Sequence, residues 1–397
     1  MFSRVSVRFA LALILAALFS IPQMSFAQLW EQEPEKLTDS GGTDSNPVII
    51  WCEHGFAVVW FRSNQLRYTL LDENCDQAKQ PVTIYSTYWE FQDKVCDIAY
   101  RDGYFYVVFL EPVTAGKQVM LQRVHYNYDP IGARVQLTTG SYSHAFPRLV
   151  WNGKEFGLAY IRAHAGQGGY DVMFQRFNSQ MEAIGQSKYI AAGSENKHFL
   201  DLVWSGKFWG LAWMHDTKTI VFQRLKRNGR LKQARRTVFS YPGAEYNPKG
   251  LDLIVRDGKA YALAFSWRKD QSEVEQVYFQ RLRRNGKNLG QPVRASNTTV
   301  GARFPAVTWD ALQRHYGVFW SDGRDKGMPP SYGIGIYATL LDARGVDYVR
   351  DYALDLNQSD DYQPAVANNG DVAVLVYTAQ SGLKADIYAV KMICEAW

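Results

Sequence analysis

Long apolar runs are scarce in this chain of 397 residues. The one unbroken stretch, Phe9 to Phe19, is shorter than the roughly 20 residues that a spanning helix needs. Arg4 and Arg8 precede it and Ser25-Phe26-Ala27 follows it, so residues 1–27 read as a cleaved signal peptide rather than an anchor. The expectation is an exported protein, periplasmic or extracellular, whose mature chain is 28–397. Cysteine is also rare: Cys52, Cys75, Cys96 and Cys394 are the whole supply. An even number in an exported chain suggests two disulfides, with three pairings open, and Cys52 with Cys75 is the first candidate pair because both fall in one repeat. Their spacing does not match a zinc motif, so neither a metal nor a cofactor is expected. Charge imbalance is small as well. Without Arg4 and Arg8 the formal charge falls from +5 to +3, which does not by itself imply a nucleic-acid partner. No His-x-x-x-His, Gly-rich phosphate loop or Gly-x-Ser-x-Gly elbow occurs.

What the chain has is repetition. Trp151-Asn152-Gly153-Lys154-Glu155-Phe156-Gly157-Leu158-Ala159-Tyr160 recurs as Trp204-Ser205-Gly206 through Trp209-Gly210-Leu211-Ala212-Trp213. It recurs again from Trp309 through Tyr316-Gly317-Val318-Phe319-Trp320. Seven closing aromatics (Trp60, Phe109, Tyr160, Trp213, Phe265, Trp320, Tyr377) are separated by 49, 51, 53, 52, 55 and 57 residues. A period near 50 with strand-like content points to propeller blades rather than a helical solenoid. Each period reads as four strands. An apolar first strand leads into a Gly-containing turn, and the second strand ends on the closing aromatic. The third carries a shared Gln-Arg tail (Gln122-Arg123, Gln175-Arg176, Gln223-Arg224, Gln280-Arg281). Tight turns follow at Asn228-Gly229, Asn285-Gly286 and Arg344-Gly345, where Asn-Gly suits a two-residue hairpin. The seventh copy stops after three strands. Glu33 to Thr38 resembles the fourth strands of other copies and would close the ring. The expected fold is therefore all-β: a seven-bladed β-propeller of four-stranded antiparallel blades over 28–397. A closing strand lies within 28–44, and blades begin near 45, 94, 146, 198, 247, 303 and 363.

These motifs resemble those of exported bacterial β-propellers built from Trp-x-Gly-x-x-Phe-Gly-x-x-Trp repeats, over essentially all of the mature chain. That family pattern specifies architecture and is silent about activity. The sialidase-type Ser-x-Asp-x-Gly-x-x-Trp box and the Gly-His…Trp-Asp signature are both missing; Ser321-Asp322-Gly323 only echoes the first. The resemblance implies ligand binding on the face made by the loops joining the second and third strands and those joining blades. Two residues past each closing aromatic stand Arg62, Glu111, Arg162, His215, Trp267, Asp322 and Ala379, a candidate polar ring around the channel mouth. The blade-to-blade loops add Tyr88-Trp89-Glu90, Tyr142 with His144, Glu195 with His198, Tyr241 with Glu245, and Asp360-Asp361-Tyr362. Aromatics beside carboxylates are the equipment for holding sugar rings. Phe146 and Phe304 precede prolines and read as plugs between blades. The candidate ligand-binding residues are thus Arg62, Trp89, Glu111, Arg162, His215, Trp267 and Asp322.

Two function classes follow. The first is a non-enzymatic binding module or interaction scaffold taking a glycan or a protein. The second is a carbohydrate-active enzyme needing two carboxylates roughly 5–9.5 Å apart, for which Glu111 with Asp322, or Asp216 with Asp360, are the candidates. A separate basic cluster, Arg224 to Arg236 repeated as Arg281 to Lys287, suggests docking to an anionic polymer or surface.

Overall fold

The computed structural model describes residues 33–392, apart from 40, 88–94, 115, 165–168, 217, 241–248, 259, 269–272, 327–332 and 355–358. The signal-peptide reading therefore lies outside the described residues. Among the described residues twenty-eight strands form seven four-stranded antiparallel sheets. Six sheets use consecutive strands, with first strands beginning at Asp44, Cys96, His144, Lys197, Leu251 and Ala302. The seventh combines Asp360–Asn368, Ala373–Ser381 and Lys384–Met392 with Glu35–Lys36. The molecule is a seven-bladed β-propeller whose last blade takes its fourth strand from the start of the described chain.

The closing strand is held by more than its two ladder residues. Glu35 and Lys36 pair with Ala389 and Tyr388, and Leu37 N–H donates to Ile387 C=O at 2.8 Å. Thr38 Oγ1 donates to Asp386 Oδ1 at 2.7 Å and accepts from Ile387 N–H at 3.2 Å, while Lys36 Nζ lies 2.9 Å from Asp386. Leu37 is buried in the wedge between blades 7 and 1.

The core is seven such wedges rather than one centre. In the second strand of blade 1, Gly55–Arg62, alternate side chains enter opposite wedges. Ala57, Val59 and Phe61 pack toward blade 2, and Phe56, Val58 and Trp60 toward blade 7. That explains why these strands read as continuous apolar runs, since successive side chains point to opposite faces and both faces are covered. The repeat motif follows from the same geometry. The first Trp packs on the aromatic of its own hairpin, with Trp151 4.6 Å from Phe156 and Trp204 4.7 Å from Trp209. The glycine after that aromatic leaves room for the next blade. A Cβ on Gly157 would meet the Trp209 ring at 2.8 Å, and one on Gly210 would meet Tyr261 at 2.8 Å.

The Gln of each Gln-Arg tail is buried and clamps the following turn. Gln175 Nε2 donates to Gly185 C=O at 3.1 Å and Gln223 Nε2 to Gln233 C=O at 2.8 Å. The turns themselves differ from the two-residue hairpins expected. Gly229 N–H donates to Lys226 C=O and Lys226 N–H to Arg230 C=O, both at 2.8 Å, and of the Asn-Gly pair only Gly229 has positive φ, +76°. This is a type I turn closed by a left-handed residue. Cys75, Tyr128 and Met181 fill that left-handed position in blades 1 to 3 (φ +68°, +80° and +65°).

The Cys52–Cys75 pair is also corrected. Cys52, Cys75 and Cys96 are buried free thiols. Cys52 faces blade 2, whereas Cys75 faces blade 7 from the other side of the sheet. Burial pushes the Cys75 thiol up to about 12. Cys394 lies outside the described residues.

First strands line the central channel, and three of their carboxylates clasp the next blade. Asp97 accepts from Leu149 N–H, Asp201 from Leu253 N–H and Asp252 from Val307 N–H, each at 2.7 Å. Arg148 reaches Asp201 at 3.3 Å. Burial pushes Asp97 up to about 6, and burial together with Asp201 pushes Asp252 up to about 8.

Two outcomes are expected. Gly210→Ala should destabilise by about 1–3 kcal/mol through overpacking against Tyr261. Gly335→Ala, whose Cβ meets nothing nearer than 3.7 Å, should be close to neutral in the same thermal melts. For Asp252 the folded pKa of about 8 lies above the ordinary 3.8, so its contribution is full below about pH 4 and is lost as pH rises toward 8. Urea midpoints at pH 5 and 8.5 should differ in that direction, and Asp252→Asn should flatten the difference; an unchanged slope in the variant contradicts the assignment.

Candidate functional site

The channel mouth is the end at which first strands begin and second strands finish. Chain pairing puts Asp44 opposite Arg62, His144 opposite Arg162, Lys197 opposite His215 and Ala302 opposite Asp322. The residues chosen from the repeat thus do share one rim, and most of them are held by partners within the protein.

Arg62 is held most firmly. Its Nε and Nη2 donate to the two oxygens of Asp44 at 2.8 and 2.7 Å, and its Nη1 lies 2.6 Å from Asp39. Those carboxylates, Asp44 foremost, raise the guanidinium above its usual range. Glu111 is buried, accepting from Tyr85 Oη at 2.8 Å and from Arg134 Nε at 2.7 Å. Burial, then the Glu111 carboxylate, raises the Tyr85 phenol. Arg162 donates to Asp171 at 2.7 Å and lies between the rings of Tyr142 and Tyr189, 4.6 and 4.7 Å from their centroids. Trp267 is buried against Phe239 at 5.3 Å. Asp322 is buried and accepts from Arg324 at 2.5 Å, Thr298 Oγ1 at 2.8 Å and Trp320 Nε1 at 3.2 Å. Ala379, the blade 7 member, is buried. Trp89, with Tyr88 and Glu90, and Tyr241 with Glu245 lie outside the described residues.

The enzyme candidates do not form a pair. Glu111 and Asp322 sit on non-adjacent blades, and both oxygens of each carboxylate are engaged by their own partners. Asp216 caps its turn by accepting from Lys218 N–H at 2.7 Å, and Asp360 accepts from Ile334 N–H at 3.1 Å. In the basic cluster, several arginines serve as stitches between blades. Arg224 donates to Arg284 C=O at 2.6 Å, Arg236 to Asn285 C=O at 3.3 Å and Arg281 to Ala343 C=O at 2.9 Å.

Blade 4 is different. His215 is half-buried, its Nδ1 has no hydrogen-bond partner, and burial, then Arg235 and Lys197, lowers its pKa. Lys197, opposite it, is fully buried, with Nζ 3.2 Å from both the backbone oxygen and Oε2 of Glu195. His198 packs on Tyr170 at 5.7 Å and Phe146 at 6.4 Å.

What the repeat did not reveal is the mouth itself. Five of the seven first strands carry a bulge there whose turning residue has positive φ: Asn46 +55°, Phe146 +49°, Phe199 +49°, Phe304 +53° and Gln363 +56°. These residues line a cavity of about 240 Å³ together with Arg148 and Gly250. Phe146 and Phe304, read from sequence as plugs between blades, both line this mouth, and Phe146 also packs in the wedge between blades 3 and 4, 5.2 Å from Phe199 of the next blade, as a plug would. The recurring Xaa-Pro at the start of the first strand (Asn46-Pro47, Phe146-Pro147, Phe304-Pro305, Gln363-Pro364) is the signal that could have located it. Among the described residues no group of histidines, cysteines and carboxylates is arranged to hold a metal ion.

No protein-family model matches the chain, and no curated protein matches it. Solved structures do. A sialidase from Trypanosoma rangeli, in complex with 2,3-difluorosialic acid, is similar with TM-score 0.51 at 8% identity, covering 93% of this chain and 58% of that one. A protein of unknown function from Dyadobacter fermentans gives TM-score 0.50 at 10% identity, covering 91% and 98%. The β-propeller domain of the Trilobed protease from Pyrococcus furiosus gives 0.46 at 9%, covering 88% and 94%. The chain spans little more than half of the sialidase, and at such identities the likeness is one of fold.

Proposed function

We propose that this protein is an exported, non-catalytic binding module that holds a sugar-type ligand at the mouth of its channel. The observation that carries the reading is the cavity of about 240 Å³ lined by Phe146, Phe199 and Phe304 together with Arg148, Asn46 and Gln363. Aromatic faces stack on the apolar face of a sugar ring, while interspersed amide and guanidinium groups meet its hydroxyls. Rim carboxylates support binding over hydrolysis, because a glycosidase must leave one carboxyl group to protonate and another to attack or activate water. Here Glu111 and Asp322 spend their oxygens on arginine, tyrosine, threonine and tryptophan. The basic N-terminal stretch and apolar run of residues 1–27 support export.

A glycan array probed with residues 28–397, followed by mass spectrometry of each sugar bound, tests the reading. Binding without any change in the sugar is expected. Phe199→Ala should weaken it roughly tenfold, as loss of an aromatic stacking face does, measured at a temperature where melts show the variant folded, since the ring also packs on the blade 4–blade 5 core. Cleaved product would favour the enzyme instead, and affinity indifferent to Phe199 would move the ligand away from the mouth.

A further inference from the structure

Three blades close their second strand with tryptophan, and two of them give its indole N–H a carboxylate. Trp60 Nε1 donates to Asp44 Oδ1 at 2.7 Å, and Trp320 Nε1 donates to Asp322 Oδ2 at 3.2 Å. The third is Trp213 in blade 4. Its strand pairing repeats that of blade 1 position for position. Lys197 faces His215 as Asp44 faces Arg62, the bulge follows at His198/Asp201 as at Ser45/Val48, and Trp213 stands two residues before His215 as Trp60 stands before Arg62. Lys197, Trp213 and His215 therefore share one side of their hairpin, as the three blade 1 residues do.

The chemistry is inverted. Blade 1 has an acceptor where blade 4 has the Lys197 ammonium. Trp213 is 0% exposed, its Nε1 has no hydrogen-bond partner, and Nδ1 of His215 is buried without one. A buried donor with no acceptor costs free energy that an incoming acceptor recovers. Glu195 is the nearest internal candidate, but its Oε2 lies 3.2 Å from Lys197 and its side chain is 46% exposed. It shields the ammonium from the rim and can turn out to solvent.

We propose that the blade 4 rim is a carboxylate-binding site. The carboxylate replaces that of Glu195 beside the Lys197 ammonium and does for blade 4 what Asp44 does for blade 1, accepting from Lys197 Nζ, Trp213 Nε1 and His215 Nδ1–H while Glu195 swings away. Phe199, two residues after Lys197, lines the mouth cavity. The ligand this geometry fits is a sugar acid, its ring face on Phe199 and its carboxylate on blade 4. This extension rests on the carbohydrate reading of the mouth, whereas the carboxylate site itself does not.

Calorimetric titration with digalacturonate, its neutral counterpart galactobiose, and acetate separates the two claims. The ¹⁵N–¹H signal of the Trp213 indole, assigned by its loss in Trp213→Phe, is followed in parallel. Digalacturonate should bind more tightly than galactobiose, and both digalacturonate and acetate should shift the Trp213 signal. Lys197→Met should weaken digalacturonate roughly tenfold or more, as loss of a charge-assisted hydrogen bond does. Glu195→Gln, which removes the competing carboxylate and leaves the core untouched, should tighten it, so the proposal stays testable if Lys197→Met misfolds. Equal binding of the acidic and neutral sugars with an unmoved indole overturns the carboxylate site and leaves the carbohydrate reading standing. A shift by acetate with no added affinity for either sugar supports the carboxylate site and overturns the carbohydrate reading. No response to any of the three overturns both.

Discussion

Closure of the ring is the constraint on which the rest of this structure depends. Every blade is apolar on both faces, so no blade can be stable without two neighbours. Blades 1 and 7 meet through the wedge at Trp60 and Val376 and through bonds such as Asn46 N–H to Gln363, and the segment at Glu35–Thr38, added to Lys384–Met392, ties the two together along the chain. That segment is short, and its hold is concentrated in Leu37, Thr38 and the Lys36–Asp386 pair. Around the remainder of the ring the same task falls to repeated devices. An aromatic enters the space over the preceding blade's glycine, a channel carboxylate takes the next strand's N–H, and an arginine or glutamine on the underside reaches a turn carbonyl. Each is modest alone. Recurring at several of the blade junctions, three of them in the case of the carboxylate, they make the framework.

The same economy governs the rim. Side chains that follow an apolar strand look solvent-directed in sequence, but in a propeller they stand beside the start of the first strand and close its polar edge. Arg62 with Asp44, Glu111 with Arg134, Arg162 with Asp171, and Asp322 with Arg324 are four solutions to that one problem. Blade 4 departs from the scheme with a buried lysine and two unpartnered nitrogens. Single atoms elsewhere on the rim, Arg162 Nε, Asp171 Oδ1 and Arg324 Nε, also lack partners, but of the three closing tryptophans only Trp213 has no carboxylate on its indole, and the proposed carboxylate site rests on that difference.

The architecture was legible because it is written in local periodicity. The spacing of closing aromatics, the Gln-Arg tails and the missing fourth strand each reflect contacts that recur every 50 residues or so. Rim partners were not legible: Arg134 and Asp171 belong to strands whose register the sequence does not state. The Phe-Pro dipeptides were legible in part. Phe146 does fill space between blades, but a proline fixes its own φ and does not announce that Phe146 and Phe304 adopt positive φ and line the mouth. The Asn-Gly turns misled more mildly. A glycine there satisfies either a two-residue hairpin or a type I turn with a left-handed closing residue, and Cys75 and Met181 in the same place show which was built. Cys52 and Cys75, close in sequence, face opposite wedges.

Amide hydrogen exchange at Leu37 and Ile387 tests the central claim of closure most directly, because these two amides bond across the seam itself. If the ring depends on that seam, both should exchange only through global unfolding, as slowly as the amides of Val58 and Val376 in the strands on either side. Rapid exchange at Leu37 and Ile387 beside protected Val58 and Val376 would mean that the seam opens freely while the blades persist, and would contradict the account.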